Sequence, residues 1–99
     1  MRMMAKIQVP TEEGGRAIKD GSMGGLIEES LAAMKPECAY FFLEDGLRTV
    51  LAVFDLKSPS EMVTLFEPGM LAMNARVQLT PVMTRDDLAS GLTSLGARG

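Results

Sequence analysis

The side chains best suited to chemistry in this sequence recur at alternate positions of four extended segments. Alternation places such residues on one face of a sheet. A few polar groups converging in an apolar cavity are typical of a small-molecule site. We expect Lys6 and Arg76 to attract an anionic group while Tyr40 and Phe42 supply flat apolar contact. The full candidate set is Lys6, Gln8, Tyr40, Phe42, Thr49, Arg76 and Gln78.

An alternative interpretation assigns the same face to an interface between protein chains. In that case the side chains only line a packed contact. Lys6 and Arg76 would then reach water at the rim or pair with the carboxylates of Glu44 and Asp55. The residue pattern leaves both interpretations open, because a buried cation needs a counter-charge from either a carboxylate or a bound anion.

Other kinds of catalytic site find little support in the sequence. The chain contains no histidine, which excludes Ser-His-Asp and Cys-His sites, the usual zinc sites and a histidine-ligated haem. The single cysteine, Cys38, has no obvious neighbour that would lower its pKa, and we expect a small buried hydrophobe. We predict no cofactor, and we lean against an enzyme.

The glycines and paired carboxylates are better explained by local structure than by ligands. Five glycines between residues 14 and 25 follow an extended segment. They lack the lysine and the spacing of a phosphate-binding loop, and acidic residues precede them. The carboxylate pairs fall at helix starts, on a helix surface and in a turn, where capping or solvation accounts for them. We therefore predict no metal site.

Composition limits the partners of this chain. Its 99 residues form one domain with a net charge of −3 and scattered basic residues, so we expect no nucleic-acid partner. No segment approaches the length of a membrane span or of a secretory signal, and we expect no membrane partner. One cysteine fits a reducing compartment, so we predict a cytoplasmic protein.

The first half of the chain predicts a strand, a helical region and a hairpin. Residues 3–9 alternate as a strand, and residues 11–35 have helical periodicity with a break near "DGSMGG" and a firmer helix from about Gly25 to Met34. Residues 38–44 and 47–55 predict two strands. Asp45-Gly46 between them favours a type I′ turn, which pairs Glu44 with Leu47 and Tyr40 with Leu51.

The second half predicts a helix, an edge strand and a last short helix. "SPSE" indicates a helix start with Ser58 as N-cap and Glu61 completing a capping box. Pro68 lies inside the apolar stripe that follows, so we expect the helix to kink or break there. Residues 75–83 alternate as a strand in which Pro81 suits a sheet edge. Thr84 is expected to cap the final helix.

This order of elements predicts an α+β, ferredoxin-like βαββαβ domain spanning residues 1–99, with a four-stranded antiparallel sheet and an added C-terminal helix. Helices cover one face of such a sheet. No segment remains to cover the other face, which carries Tyr40, Phe42, Leu51 and Val53. Apolar patches of this size are not normally left in water. We therefore predict a homodimer, or a higher homo-oligomer, with these residues at the interface.

The order of elements, the open apolar face and the chain length resemble the dimeric α+β barrel superfamily, in which two ferredoxin-like sheets pack face to face. The segments "KPECAYFFLEDGLRTVLAVFDL", "SPSEMVTLFEP" and "NARVQLTPVMTRDDL" are similar to a small bacterial group within it whose function is not established. Three alternatives remain open. The protein is a binding or accessory protein for an anionic or aromatic metabolite, a purely structural homo-oligomer, or, as in the wider superfamily, a cofactor-independent monooxygenase or isomerase with Tyr40 or Arg76 polarising an oxygen. The lack of histidine and tryptophan favours the first and second.

Overall fold

The computed structural model describes residues 1–96 and contains four strands and four helices. The order of the secondary elements is that expected from the sequence, with the first crossover built from two helices. In chain order they are β1 (Arg2–Val9), α1 (Thr11–Lys19), α2 (Met23–Met34), β2 (Cys38–Glu44), β3 (Leu47–Asp55), α3 (Glu61–Met73), β4 (Arg76–Pro81) and α4 (Arg85–Ser94).

The strands form one antiparallel sheet in the order β2-β3-β1-β4. This is the arrangement of a ferredoxin-like α+β fold, as the sequence predicts. β2 and β4 are the two edge strands, and β4 ends at Pro81, whose missing N–H is tolerated at an edge. Helices α1, α2 and α3 lie on one face, called here the helix-side face; the opposite face is the open face.

The β2–β3 hairpin has the turn and register that the sequence predicts. Asp45 and Gly46 have φ values of 53° and 75°, the positive angles that a type I′ turn requires. Glu44 pairs with Leu47 and Tyr40 with Leu51. This register places Phe41 and Val50 on the helix-side face, and Tyr40 and Leu51 on the open face.

The hydrophobic core lies between the centre of the sheet and α3. Ala5 and Ala52 are adjacent on the two central strands and are completely buried. Their small side chains leave room for Phe54 and Phe66, whose rings meet edge to face with centroids 5.8 Å apart and planes at 67°. Such an aromatic pair adds about 0.5–1.5 kcal/mol to the burial of its apolar surface.

The break between α1 and α2 falls at residues 20–22, within the segment that the glycine pattern singles out. Gly21 has a φ of 81°, and the Asp20 carboxylate accepts a hydrogen bond from the backbone N–H of Ser22 at 2.9 Å. The second helix begins at Met23, two residues earlier than expected. Its apolar residues face the sheet and α3, in agreement with the helical spacing.

One local expectation about α3 is wrong, and another is excluded only in part, because a kink at Pro68 stays a prediction. The helix begins at Glu61, with Ser60 and not Ser58 as N-cap. The Ser58 and Ser60 hydroxyls hydrogen-bond each other at 2.6 Å. The Glu61 carboxylate still accepts from the N–H of Ser58. Pro68 does not break the helix, which runs unbroken from Glu61 to Met73. Pro68 and Thr64 are both exposed, so water can reach the Thr64 carbonyl that proline leaves without a partner.

The final helix begins as the sequence predicts. The Thr84 hydroxyl accepts from the N–H of Asp87 at 3.2 Å, and the Asp87 carboxylate accepts from the N–H of Thr84 at 2.9 Å. This is a reciprocal capping box. No helix in the described part of the chain has the length and apolar character needed to cross a membrane.

Candidate functional site

An open groove of about 390 Å³ lies on the helix-side face, between the sheet and helices α2 and α3. Its sheet wall is formed by side chains from all four strands. α2 lines the opposite wall with apolar residues that include Met23, Ile27 and Leu31. The groove is almost entirely apolar, and its volume falls in the range of about 300–1,000 Å³ that is usual for small-molecule sites.

The groove exists because small residues and an uncovered edge leave space between the layers. Ala52, Ala75 and Gly69 line it where larger side chains would fill it. β2 is the edge strand next to the groove, and the helices do not reach across it. Phe41 and Leu43 are therefore 53% and 74% exposed although they point to the helix-side face. These two residues form the rim of the groove.

Arg48 is the charged residue that lines the groove. It lies on β3, opposite Val9 of β1 and Leu43 of β2, and its side chain extends over α1. One guanidinium nitrogen, Nη1, donates a hydrogen bond to the Thr11 carbonyl at 3.3 Å. Arg48 forms no ion pair with any carboxylate within residues 1–96. Most of its donors thus remain available to an anion.

The position of Arg48 depends on a glycine in α1. A Cβ atom on Gly14 would lie 2.9 Å from Nη1 of Arg48 and 3.1 Å from Cγ1 of Val9. Both distances are shorter than ordinary contacts, so a larger residue would displace the guanidinium. Gly14 is itself buried. The other polar residues that line the groove are Ser30 on α2 and Thr49 on β3.

The open face brings three of the seven candidate residues together around one carboxylate. Nζ of Lys6 lies 2.8 Å from Oε2 of Glu44. The amide nitrogen of Gln8 donates to the same oxygen at 3.2 Å and approaches the hydroxyl of Thr49 at 3.5 Å. Thr49 is buried, and its hydroxyl donates to the Leu47 carbonyl at 2.9 Å. The charge of Lys6 is thus balanced within the chain.

The other four candidates lie apart on the two edges of the sheet. Tyr40 and Phe42 are on β2, whereas Arg76 and Gln78 are on β4. The two central strands separate these pairs by about 14 Å. Tyr40 is 64% exposed. A ligand site built from these residues remains a prediction, as does the interface formed by Tyr40, Phe42, Leu51 and Val53.

Asp55, the other carboxylate expected to pair with Lys6 or Arg76, pairs with neither of them. It lies 2.8 Å from the amino nitrogen of Met1. Arg76 is exposed and has no carboxylate partner among the described residues. Of the two candidate cations, Lys6 is therefore neutralised by Glu44 and Arg76 faces solvent.

Two of the seven candidate residues, Phe42 and Thr49, also line the groove. The sequence analysis nevertheless missed Arg48, although a signal for it was present. The hairpin register places Arg48 among Phe41, Leu43, Val50 and Phe54 on one face, where it is the lone cation in an apolar row. A single cation in an otherwise apolar row was therefore the sequence signal for the groove. Alternation cannot show whether the helices fill the space above such a row.

The expectation that Cys38 is buried is wrong. The thiol is exposed and not buried, because Cys38 begins the edge strand β2 on the open face, which no element within residues 1–96 covers. No group of three or more histidine, cysteine or acidic side chains within residues 1–96 is placed to hold a metal ion.

Comparison with known proteins gives no family for this chain. No protein-family model matches it, and no curated protein matches it. The structure alone therefore carries the functional argument.

Proposed function

We propose that this protein binds an apolar carboxylic acid in the groove on the helix-side face. The observation that carries the proposal is an apolar groove that holds Arg48 without a carboxylate partner among the described residues. A cation in apolar surroundings is stabilised by a counter-charge. A ligand carboxylate at the rim would supply that charge, while the rest of the ligand fills the groove.

The chemistry of Arg48 favours a carboxylate over a neutral ligand. A guanidinium presents five N–H donors in a planar fork that matches the two oxygens of a carboxylate. Only the bond to the Thr11 carbonyl uses this fork within the described chain. A hydrogen bond to a charged group is worth about 1.5–3 kcal/mol, which corresponds to an affinity difference of about tenfold to a hundredfold.

The residues that line the groove indicate the chemical character of the rest of the ligand. The walls consist mainly of aliphatic side chains, methionines and the aromatic rim, with Ser30 and Thr49 as the uncharged polar residues of the lining. We propose an aromatic or medium-length aliphatic group. Binding, rather than turnover, is favoured because the chain contains no histidine and none of the described residues that line this groove is acidic.

We further propose that two copies associate through the open face, as in the dimeric α+β barrel superfamily that the chain resembles. Tyr40 is exposed, and Phe42, Leu51 and Val53 are only partly covered by their own chain. A second copy would bury these apolar side chains symmetrically. The free, exposed Cys38 supports a reducing cytoplasmic location.

Titration calorimetry with matched acids and alcohols tests the ligand proposal. Decanoate and 1-naphthoate should bind at least about tenfold more tightly than decanol and naphthalene-1-methanol. Arg48→Gln should reduce the affinity for the acids to that for the alcohols. Arg76→Gln, which removes an exposed cation from the open face, is the matched control and should leave binding unchanged.

The opposite pattern would overturn the assignment to the groove. Loss of acid binding in Arg76→Gln with unchanged binding in Arg48→Gln would move the site to the open face. Equal affinity of acids and alcohols in the wild-type protein would remove Arg48 from the site.

A further inference from the structure

Helix α4 is the part of the described chain that packs least against the rest of the domain. All of its residues are exposed. Its first turn contacts β1 through an ion pair between Oδ2 of Asp87 and Nη1 of Arg2, 3.9 Å apart. The chain is accordingly elongated, measuring 57 × 28 × 17 Å with a radius of gyration of 16.2 Å, whereas a compact domain of this length has about 13 Å.

The exposed surface of α4 includes an apolar stripe. Leu88, Leu92 and Leu95 follow at spacings of four and three residues, which places them on one side of the helix. They are 50%, 46% and 82% exposed. Met83, just before the helix, is also exposed. Only one side of the helix is apolar, so the pattern is that of a helix seated on another surface.

A helix as short as α4 needs another surface to pack against. α4 has ten residues, and isolated helices shorter than about 12–15 residues are marginal in water. The capping box at Thr84 supports its first turn but buries no apolar surface. Packing of the leucine stripe against another surface would supply the missing stabilisation.

The first turn of α4 lies on the open-face side of the sheet. Arg2 alternates with Met3 along β1, so its side chain shares a face with Met4 and Lys6. The contact between Arg2 and Asp87 therefore places the first turn of α4 beside the open face. Every residue from this first turn to the end of the helix is exposed.

We infer that α4 is an arm that packs its leucine stripe against the second copy of the dimer. This inference rests on the proposed open-face dimer. Within residues 1–96, the open face has no covering element and the leucine stripe of α4 is exposed. The helix also starts beside that face. A two-fold axis through the open face would let each arm reach the other copy, so the two arms would close the dimer reciprocally.

A membrane surface fits the leucine stripe less well than a second copy of the chain does. Helices that lie on anionic membranes have polar faces rich in lysine and arginine. The polar residues of α4 include Asp86 and Asp87 against the single cation Arg85. A helix with this charge balance is not attracted to an anionic lipid surface.

Paired substitutions on the two sides of α4 test the inference. Leu92→Asp places a charge in the stripe, and Ser90→Asp places the same charge on the opposite side. Sedimentation equilibrium should show a dimer dissociation constant at least about tenfold higher for Leu92→Asp than for wild type. Ser90→Asp should match wild type. Unchanged association in Leu92→Asp would overturn the arm while leaving the dimer intact.

A second measurement on the wild-type chain covers the case in which Leu92→Asp simply unfolds the helix. Isotope-filtered NMR on a mixture of labelled and unlabelled copies should show contacts from the Leu88 and Leu92 methyl groups to the other copy. Contacts confined to one copy would overturn the inference, as would association of the stripe with phosphatidylglycerol vesicles in place of the second copy. A wild-type chain that is monomeric at every concentration would overturn both the dimer and the arm.

Discussion

The guanidinium of Arg48 lies against Gly14, so closely that a Cβ atom on the glycine would come within 2.9 Å of Nη1. The two residues come from β3 and α1, and their contact holds the cation at the groove. The hydrogen bond from Nη1 to the Thr11 carbonyl follows from the same approach. Gly14 therefore sets the position of the proposed anion-binding group without touching a ligand itself.

Gly14→Ala should lower the affinity for 1-naphthoate by displacing Arg48. Gly15→Ala is the matched control, because a Cβ atom at Gly15 meets nothing within 4 Å. This control should retain binding and raise the free energy of unfolding by about 0.5–1 kcal/mol, since alanine is favoured over glycine inside a helix. Calorimetry and urea unfolding measure both effects. Equal naphthoate affinity in the two variants would contradict the role given to Gly14.

Gly46→Val should destabilise the β2–β3 hairpin. Gly46 has a φ of 75°, and the cost of a left-handed conformation for other residues is about 1–2 kcal/mol. The loss should appear as a lower urea midpoint. Gly25→Val, at an open helical position where a Cβ meets nothing within 4 Å, gives the comparison. A smaller loss at Gly46 than at Gly25 would argue against strain in the turn.

Leu51→Asp should weaken the proposed dimer by placing a charge on the open face. Leu51 lies opposite Tyr40 and next to Lys6 on the neighbouring strands. Leu71→Asp is the control, because Leu71 is exposed on α3, outside that face. Light scattering over a dilution series should detect monomer at a higher concentration for Leu51→Asp. Identical curves for the two variants would reject the open face as the interface.

The capping box of α4 should make the helix sensitive to acid. Hydrogen bonds from the backbone N–H and hydroxyl of Thr84 lower the pKa of the exposed Asp87. A lowered folded-state pKa means that the stabilising effect is complete above the ordinary value of about 3.9 and is lost as pH falls through the lowered value. NMR shifts of Ala89 and Ser90 should report fraying in that range.

Asp87→Asn should remove this acid dependence, because an amide does not titrate there. It should also leave α4 less stable at neutral pH, since the charged hydrogen bonds and the favourable interaction with the helix N-terminus are lost. An unchanged pH profile in Asp87→Asn would show that another group controls the fraying.

The sequence by itself determined the order of the elements and the register of the hairpin. Alternation and the Asp45-Gly46 turn are local, so the pairing of residues 38–44 with 47–55 follows from the backbone angles of two residues. The sharing of one face by Tyr40 and Leu51 follows from the same register. The capping box between Thr84 and Asp87 is local in the same sense.

Only the tertiary structure decided where empty space and unpaired surface remain. The groove depends on how far α2 stands from the sheet, and that distance is set by contacts between residues far apart in sequence. The approach of Gly14 to Arg48, the pairing of Lys6 with Glu44 and the separation of α4 from the domain depend on such contacts too. A residue pattern specifies which face a side chain occupies, but only packing in three dimensions determines what lies across from it.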